Sequence, residues 1–479
     1  MLNLAVLIVG FLVALWLSNV VYSVYVSPLK TIPSPFLLQL FPILLHLSAL
    51  RGKRHEFVHQ YHLKYGPIFR AGWRLIVIAD GKAARQIHTT YKCTKGSAYD
   101  GFRYFGDNLL TIREREVHSI RRRLVGQAYS RPKVLEMESL VMEVGILPLL
   151  RSLEKEGEIN LLEQFHFMGW DVIGKLGFGQ SFLMLKDKGH PAVAWLQDVI
   201  YFSLVCTVFP LLAKFKVPSG EKLRRFSQQV LDSYNALGES TLLSHFLKAT
   251  DKQSNQVLSK ESILAETHLL LFAGTDTSSN TLALFFHLLL SNQDAYEKAT
   301  AEVRACSKNG AMLSYDTINA EMPYLKACLK ESMRVLPVVS GNLVRYSPKE
   351  GMTILGHHIP GGCELATPIY SIHRSPWLWD NPEAFMPERW IHDQTRSTGR
   401  LAESENFIPF LVGPRACIGK ELALLEMHLA CANILARFDL QLLPTSKAPV
   451  EFIALPLLKP KTGSVMAKVT LASIKARMN

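Results

Sequence analysis

The stretch FLVGPRACIGKELALLE, residues 410–426, places a single thiol, Cys417, among turn-forming residues just ahead of an apolar run. The plain alternative is that a free cysteine is small, inert core filling. Around it, Phe410, Gly413, Arg415, Cys417 and Gly419 fall in the spacing F-x-x-G-x-R-x-C-x-G. The glycines let the backbone approach something flat and bulky, and the run after Gly419 predicts a helix. A cysteine just before a helix amino terminus sees the positive end of the dipole, which favours the thiolate, the form that binds metals. A five-position pattern of this length is poorly explained by chance.

Three other groupings carry polar chemistry. LLLFAGTDTSSN, residues 269–280, puts Gly274, Thr275, Asp276 and Thr277 inside an otherwise apolar helical run. Glycine costs about 1 kcal/mol there relative to alanine, so a local distortion that admits a hydroxyl or water is expected. The alternative is a helix that packs closely on a neighbour at Gly274. In LKACLKESMR, residues 325–334, Glu331 and Arg334 share a helix face and can pair, as surface pairs commonly do. In NPEAFMPERW, residues 381–390, Pro382 and Pro387 rule out a regular helix and leave Arg389 on a stiff loop. Its planar fork suits a carboxylate such as Glu331, or else an exposed ion pair.

Positioning these groups takes a large folded body. The 479 residues are 48% hydrophobic and 20% charged, and Lys plus Arg outnumber Asp plus Glu by 53 to 41, giving +12. A basic balance fits nucleic acid, an anionic membrane surface or an acidic protein partner. Without a lysine/arginine tail, zinc-finger spacing or recognition-helix pattern, nucleic acid is disfavoured. Seven scattered cysteines with no CxxC pair argue against a disulfide framework or thiolate zinc site, and place the body in a reducing compartment.

The amino end has no charged side chain before Lys30 and is almost wholly apolar from Leu2 to about Val21. About 20 such residues span a bilayer as a helix. Trp16, Tyr22 and Tyr25 lie toward the end, where aromatic rings favour the interface. A basic start and small-residue cleavage site are not evident, so residues 1–26 are expected to be a retained anchor, not a signal peptide. Lys30, Arg51, Lys53 and Arg54 follow it, which predicts a cytoplasmic body. Residues 27–54 read as a proline-rich hinge (Pro28, Pro33, Pro35) and then an apolar segment, broken at Pro42, lying on the membrane.

No repeat or low-complexity linker divides residues 55–479, which predicts one continuous domain. GPIFRAGWRLIVIAD reads as strands. Residues 116–130, 166–177, 321–335 and a long run from about Ser262 to Leu290 read as helices, and short pieces near 343–368 and 440–472 as strands. The fold class is mainly α with small β-sheets.

The four groupings, in this order and with these separations, resemble the haem-thiolate monooxygenases of the cytochrome P450 family. WDVIGKLGFGQSF (170–182), MPYLKACLKESMR (322–334), IPGG (359–362) and HRSP (373–376) are also similar to family segments. The resemblance covers essentially the whole chain and implies a single large helical domain, residues 55–479, around haem b. It implies that Cys417 is the axial ligand of the haem iron and that Asp276 and Thr277 are the acid–alcohol pair that delivers protons. Phe410, Gly413 and Gly419 would shape the haem-side loop, with Ala273 and Gly274 over the ring. Glu331, Arg334 and Arg389 would be the structural triad that holds the cysteine loop. Arg415, Arg345 and Arg122 would bind the propionates. REVHSIRRRLVGQAYS departs from the family at the tryptophan four residues before Arg122. His118 stands there and can still donate to a propionate. Arg121 and Arg123 would face outward, available to an acidic electron donor or simply solvated.

The family further implies NADPH electrons arriving through a cytochrome P450 reductase, with cytochrome b5 as a further donor, at the endoplasmic reticulum membrane. Phe102, Tyr104, Phe105, the region Ile200–Leu212, Val338, Val339 and Ile453 would line a pocket for a lipophilic substrate. The PLKTIPSPF and PERW segments resemble fungal members, which implies a terpenoid, steroid or polyketide-type intermediate of secondary metabolism, with a fatty acid or small aromatic as the alternative. Rival readings are a haem-thiolate isomerase or dehydratase needing no reductase, and a haem-based sensor or carrier. Neither would need Asp276 and Thr277.

Overall fold

The computed structural model describes residues 2–479 apart from 156, 235–240, 308–310, 392–404, 448 and 473–479. Its organising element is the long helix Lys260–Leu290, 31 residues. The Ser259 side chain accepts from the Ser262 N–H to cap it, and Glu261 lies in the first turn, where the dipole favours an acid. The helix Leu161–Phe178 crosses it and ends on Gly179 at φ +76°. A Cβ at Gly169 would lie 2.9 Å from Ser279 Oγ, so this glycine sets how closely the two helices meet. The helices Gln293–Cys306, Pro323–Val335 and Lys420–Arg437 complete the helical body. The apolar faces of all five helices form one continuous core.

Among the described residues, four small sheets flank this body. The largest runs in the order Ile68–Arg70, Leu75–Ile78, Glu364–Pro368, Asn342–Tyr346, Thr94–Lys95. It is antiparallel except where Leu75–Ile78 runs parallel to Glu364–Pro368. A second sheet joins Glu158–Asn160, Met466–Leu471 and Phe438–Leu442. The expected strands at 68–78, 343–368 and 440–472 are all present.

The helix Leu2–Val21 and the wider turn Tyr22–Val26 expose most of their described apolar side chains, while Val20 is buried and Trp16 Nε1 donates to Leu40 O at 3.0 Å. The stretch Val6–Val26 is long and apolar enough to cross a membrane. The segment after it is docked on the body. Leu29 and Ile32 are buried, and Arg70 donates to Ser23 O through Nη2 and to Pro33 O through its backbone N–H, both at 2.8 Å. Beyond it the short helices Phe36–Leu40 and Ile43–Leu50, broken at Pro42, expose Phe36, Leu37, Phe41, Ile43 and Leu47.

The helix Arg54–Tyr65 buries three histidines, His55, His59 and His62. The rings of His55 and His59 meet Tyr370 edge-on. Burial pushes each imidazole down from 6.5 to about 4, so all three are neutral at physiological pH. Between these values the unfolded chain binds the protons and the folded chain does not. Their stabilising contribution is therefore full above about pH 6.5 and is lost as the pH falls toward 4. The thermal midpoint is expected to drop across that window, and His59→Gln to make the drop shallower. An unchanged slope in the variant would contradict this.

Candidate active site

The loop that carries Cys417 is built by backbone constraint. Gly413 has φ +77°, and a Cβ there would sit 2.2 Å from His88 O, so no other residue fits without displacing the chain. Gly413–Arg415 forms a single turn, the Cys417 N–H donates to Phe410 O at 2.9 Å, and Gly419 caps the helix Lys420–Arg437. The expected helix after Gly419 is thus present. Cys417 itself is exposed, yet burial pushes its thiol up. Both hold for a sulfur that faces a recess inside the molecule. A helix amino terminus alone would shift the thiol the opposite way. The Gly419 N–H and the Arg122 cation do pull the thiol down, but desolvation outweighs them.

Beside this loop the chain gathers buried cations. Arg415 donates to Ile112 O and Arg113 O at 2.9 and 2.7 Å, while its buried Nε has no hydrogen-bond partner among the described residues. Arg122 donates to Ala416 O at 2.7 Å, immediately next to Cys417. Arg345, buried, donates to Tyr99 Oη at 2.9 Å and stacks on that ring. His118 is buried with Nδ1 3.2 Å from Tyr91 Oη. Sequence reasoning missed Lys95, also buried, whose ammonium donates to Leu109 O and Leu110 O at 2.9 and 2.6 Å. Burial lowers Lys95 to about 6, and Arg415 and Arg345 push the same way. Burial lowers His118 as well, and Lys95, Arg415, Arg122 and Arg345 add to it. Such crowding of like charge is costly unless an anion shares the space. The donor set, with the spare Arg415 Nε, fits the two carboxylates of a haem edge.

On the central helix Ala273 is exposed and Thr277 half-buried, although the residues that follow, 278–287, are all buried. Ala273 and Thr277, one turn apart, thus form an accessible strip on an otherwise buried stretch of the helix. Gly274 is turned elsewhere: a Cβ there would lie 2.5 Å from Ile173 Cδ1. Its smallness serves the crossing of two helices, so the close-packing alternative describes it better than a place over a ring. The expected distortion is also milder than a break. The helix is continuous, and the hydroxyls of Thr275, Thr277, Ser279 and Thr281 each share the carbonyl four residues back, at 2.6–2.8 Å. Asp276 accepts from Thr275 Oγ1 at 3.4 Å and lies 3.8 Å from His166 Nε2.

Glu331, Arg334 and Arg389 meet in the core. Arg334 spends its fork on Glu331, through Nε and Nη2 at 2.9 and 2.8 Å, and on the carbonyls of His373, Pro382 and Ala384. Arg389, from the turn Pro387–Trp390, donates to Glu331 Oε1 at 3.0 Å. Sequence reasoning missed two members. Trp390 Nε1 donates to Glu331 Oε2 at 2.8 Å, and His373 Nε2 accepts the Ile408 N–H at 3.0 Å, tying the triad to the chain that enters the cysteine loop. The tryptophan ending PERW and the histidine of HRSP were the available signals.

Two further expectations are corrected. Arg121 does not face outward: its guanidinium pairs with buried Glu266 at 2.8 Å and with Ser262 Oγ at 2.9 Å, while Arg123 is held by Asp251 at 2.7 Å. A buried carboxylate outcompetes solvent for the first. The pocket list also shortens. Leu211 is 76% exposed, Phe209 is exposed, and the Tyr104 hydroxyl is spent on both the N–H and the carbonyl of Val217. Phe102 and Phe105 do reach the central helix, stacking on Phe272 and His268. Ile200 lies in the helical core, Val338 O accepts the Leu458 N–H, and Ile453 packs against Gly52.

The cytochrome P450 family model matches residues 33–466. Among curated proteins, the chain is 28% identical over 471 residues to the cytochrome P450 monooxygenase olcB of Penicillium canescens, covering 94% of this chain and 95% of that one. It is 30% identical over 453 residues to the cytochrome P450 monooxygenase lcsI of Purpureocillium lilacinum, covering 88% and 86%. The crystal structure of the cytochrome P450DA heme domain superposes with TM-score 0.80 at 22% identity, over 94% of this chain and 99% of that one, which shows the same fold. A cysteine loop, a central helix and a buried triad in this fold, with a family match of such extent, establish that the chain belongs to the cytochrome P450 family and is a fungal-type monooxygenase.

Proposed function

We propose that this monooxygenase inserts one oxygen atom from O2 into a lipophilic intermediate of fungal secondary metabolism, of terpenoid, steroid or polyketide type. NADPH electrons would arrive through a cytochrome P450 reductase, with cytochrome b5 as a further donor. What supports the reading is the exposed Cys417 sulfur beside the Arg122 cation and the buried cluster of Arg345, Arg415 and His118, together with the accessible strip of Ala273 and Thr277 on an otherwise buried helix. Haem, when bound, would supply the oxygen-activating iron, made more electron-rich by a thiolate ligand. Cys417 would be that ligand, with the loop Phe410–Gly419 shaped to let the ring approach. Arg122, Arg345, Arg415 and His118 would hold the propionates. The exposed Leu2–Val26 helices would anchor the body at the endoplasmic reticulum membrane, with Lys30 and the basic residues after it on the cytoplasmic side.

Asp276 and Thr277 would deliver protons. Thr277 Oγ1 donates to Ala273 O at 2.6 Å, which leaves its lone pairs free to accept. Thr277→Ala is expected to keep haem binding and NADPH consumption but to divert electrons to peroxide, lowering product per NADPH by roughly tenfold or more. Unchanged coupling would remove the residue from the proton path. Oxygen uptake by the purified holoprotein with NADPH and reductase, while compounds are screened by their shift of the ferric Soret band, tests the wider reading. Turnover that needs neither NADPH nor reductase would instead favour an isomerase or dehydratase.

A further inference from the structure

The helix Leu161–Phe178 presents His166, Gly169 and Ile173 to the central helix, at the spacing of one helical face. Gly169 meets Thr275 and Ser279, Ile173 meets Gly274, and the Ser279 hydroxyl donates to Phe165 O at 2.8 Å. This fixes the register between the helices and sets His166 directly across from Asp276 and Asn280, one turn apart on the same face. His166 Nε2 is 3.1 Å from Asn280 Oδ1 and 3.8 Å from Asp276 Oδ1. With the amide oxygen as acceptor, Nε2 carries the hydrogen, and that hydrogen lies within a small ring movement, or one water, of the carboxylate. The His166 and Asp276 side chains are 25% and 24% exposed, whereas Asn280 is buried. The pair thus has access to solvent while the amide that orients the ring does not.

We propose that His166 is the positioning residue of Asp276, orienting its carboxylate and returning to it the proton that it passes on. The proposal rests on the reading of Asp276 as the acid of the proton path. In the step itself hydronium gives a proton to Nδ1 as the Nε2–H proton passes to Asp276 Oδ1, so the ring stays neutral, the carboxylate is neutralised, and exchange with water restores the starting tautomer. Three further groups bear on the ring: Asn280 on the central helix, Lys459 on the strand Leu458–Pro460, and Glu163 on its own helix. Burial lowers the imidazole, and the Asp276 carboxylate opposes that shift. Removing the carboxylate should therefore move the ring in a known direction.

The first test is independent of turnover. With histidine ring carbons labelled in the full-length holoprotein, NMR titration follows the His166 signal, assigned by its loss in His166→Gln. Asp276→Asn is expected to lower its midpoint by about 1 unit, the usual effect of losing an opposite charge at this range. An unmoved midpoint overturns the pairing, and it does so with His166 itself intact. The second test measures NADPH-driven oxygen consumption with reductase in H2O and D2O. His166→Gln keeps a donor to Asn280 but cannot titrate. It is expected to slow consumption by roughly tenfold and raise the solvent isotope effect, at an unchanged thermal midpoint. If Asp276→Asn is slow while His166→Gln matches the native protein, the role of His166 is refuted and that of Asp276 stands. If Asp276→Asn also matches, the acid role of Asp276 fails, and the proposal with it.

Discussion

Cys417→Ala is expected to yield a folded protein that has lost both its thiolate-type haem spectrum and its NADPH-dependent oxygenation. The folding half of this expectation follows from where the sulfur sits. It faces the recess and packs into no core cluster, and the loop is held by the Gly413 turn, the Cys417 N–H to Phe410 O bond and the Arg122 contact to Ala416 O. None of these uses the side chain. The electronic half follows from the donor: alanine offers the iron nothing, while the cations beside it can still hold the propionates. Cys417→His is the informative companion. It would restore a ligand without the electron-donating thiolate, so haem returns with a different Soret position and oxygenation does not recover. Full activity in either variant would remove the sulfur from the mechanism.

Glu331→Ala is expected to have the largest effect on folding. The Glu331 carboxylate accepts five bonds, two from Arg334 and one each from Arg389, the Met386 N–H and Trp390. Arg334 is wholly buried, so removing the carboxylate leaves its charge inside the protein without compensation. Breaking a buried pair in this way costs about 3–5 kcal/mol. Denaturant unfolding and holoprotein yield both report it. Arg389→Lys should cost less, because Arg389 is partly exposed and a lysine can still reach Glu331, though as a point charge without the planar fork. Equal losses in both variants would contradict the view that burial of Arg334 sets the scale.

The parts legible in the sequence are those fixed by local rules. The long central helix, the helix after Gly419 and the strands at 68–78 follow from periodicity, glycine and proline. The Glu331–Arg334 spacing is visible too, but its importance is not: the same i,i+3 pair is trivial on a surface, and only tertiary burial makes it structural. Arg121 fails for the converse reason, since its partner Glu266 is 145 residues away and nothing local announces a buried acid. Gly274 misleads because a glycine that opens space and one that closes it are identical in sequence. Lys95 and His166 are silent for a similar reason. Their roles depend on two remote elements crossing at a fixed register.

The claim on which the account depends is a bond between the Cys417 sulfur and iron. X-ray absorption at the iron edge of the ferric holoprotein, compared with Cys417→Ser, tests it directly. The account predicts one sulfur neighbour at the metal in the native protein and none in the variant. A first shell of nitrogen and oxygen alone in the native protein, or the same sulfur signal in both, would contradict it.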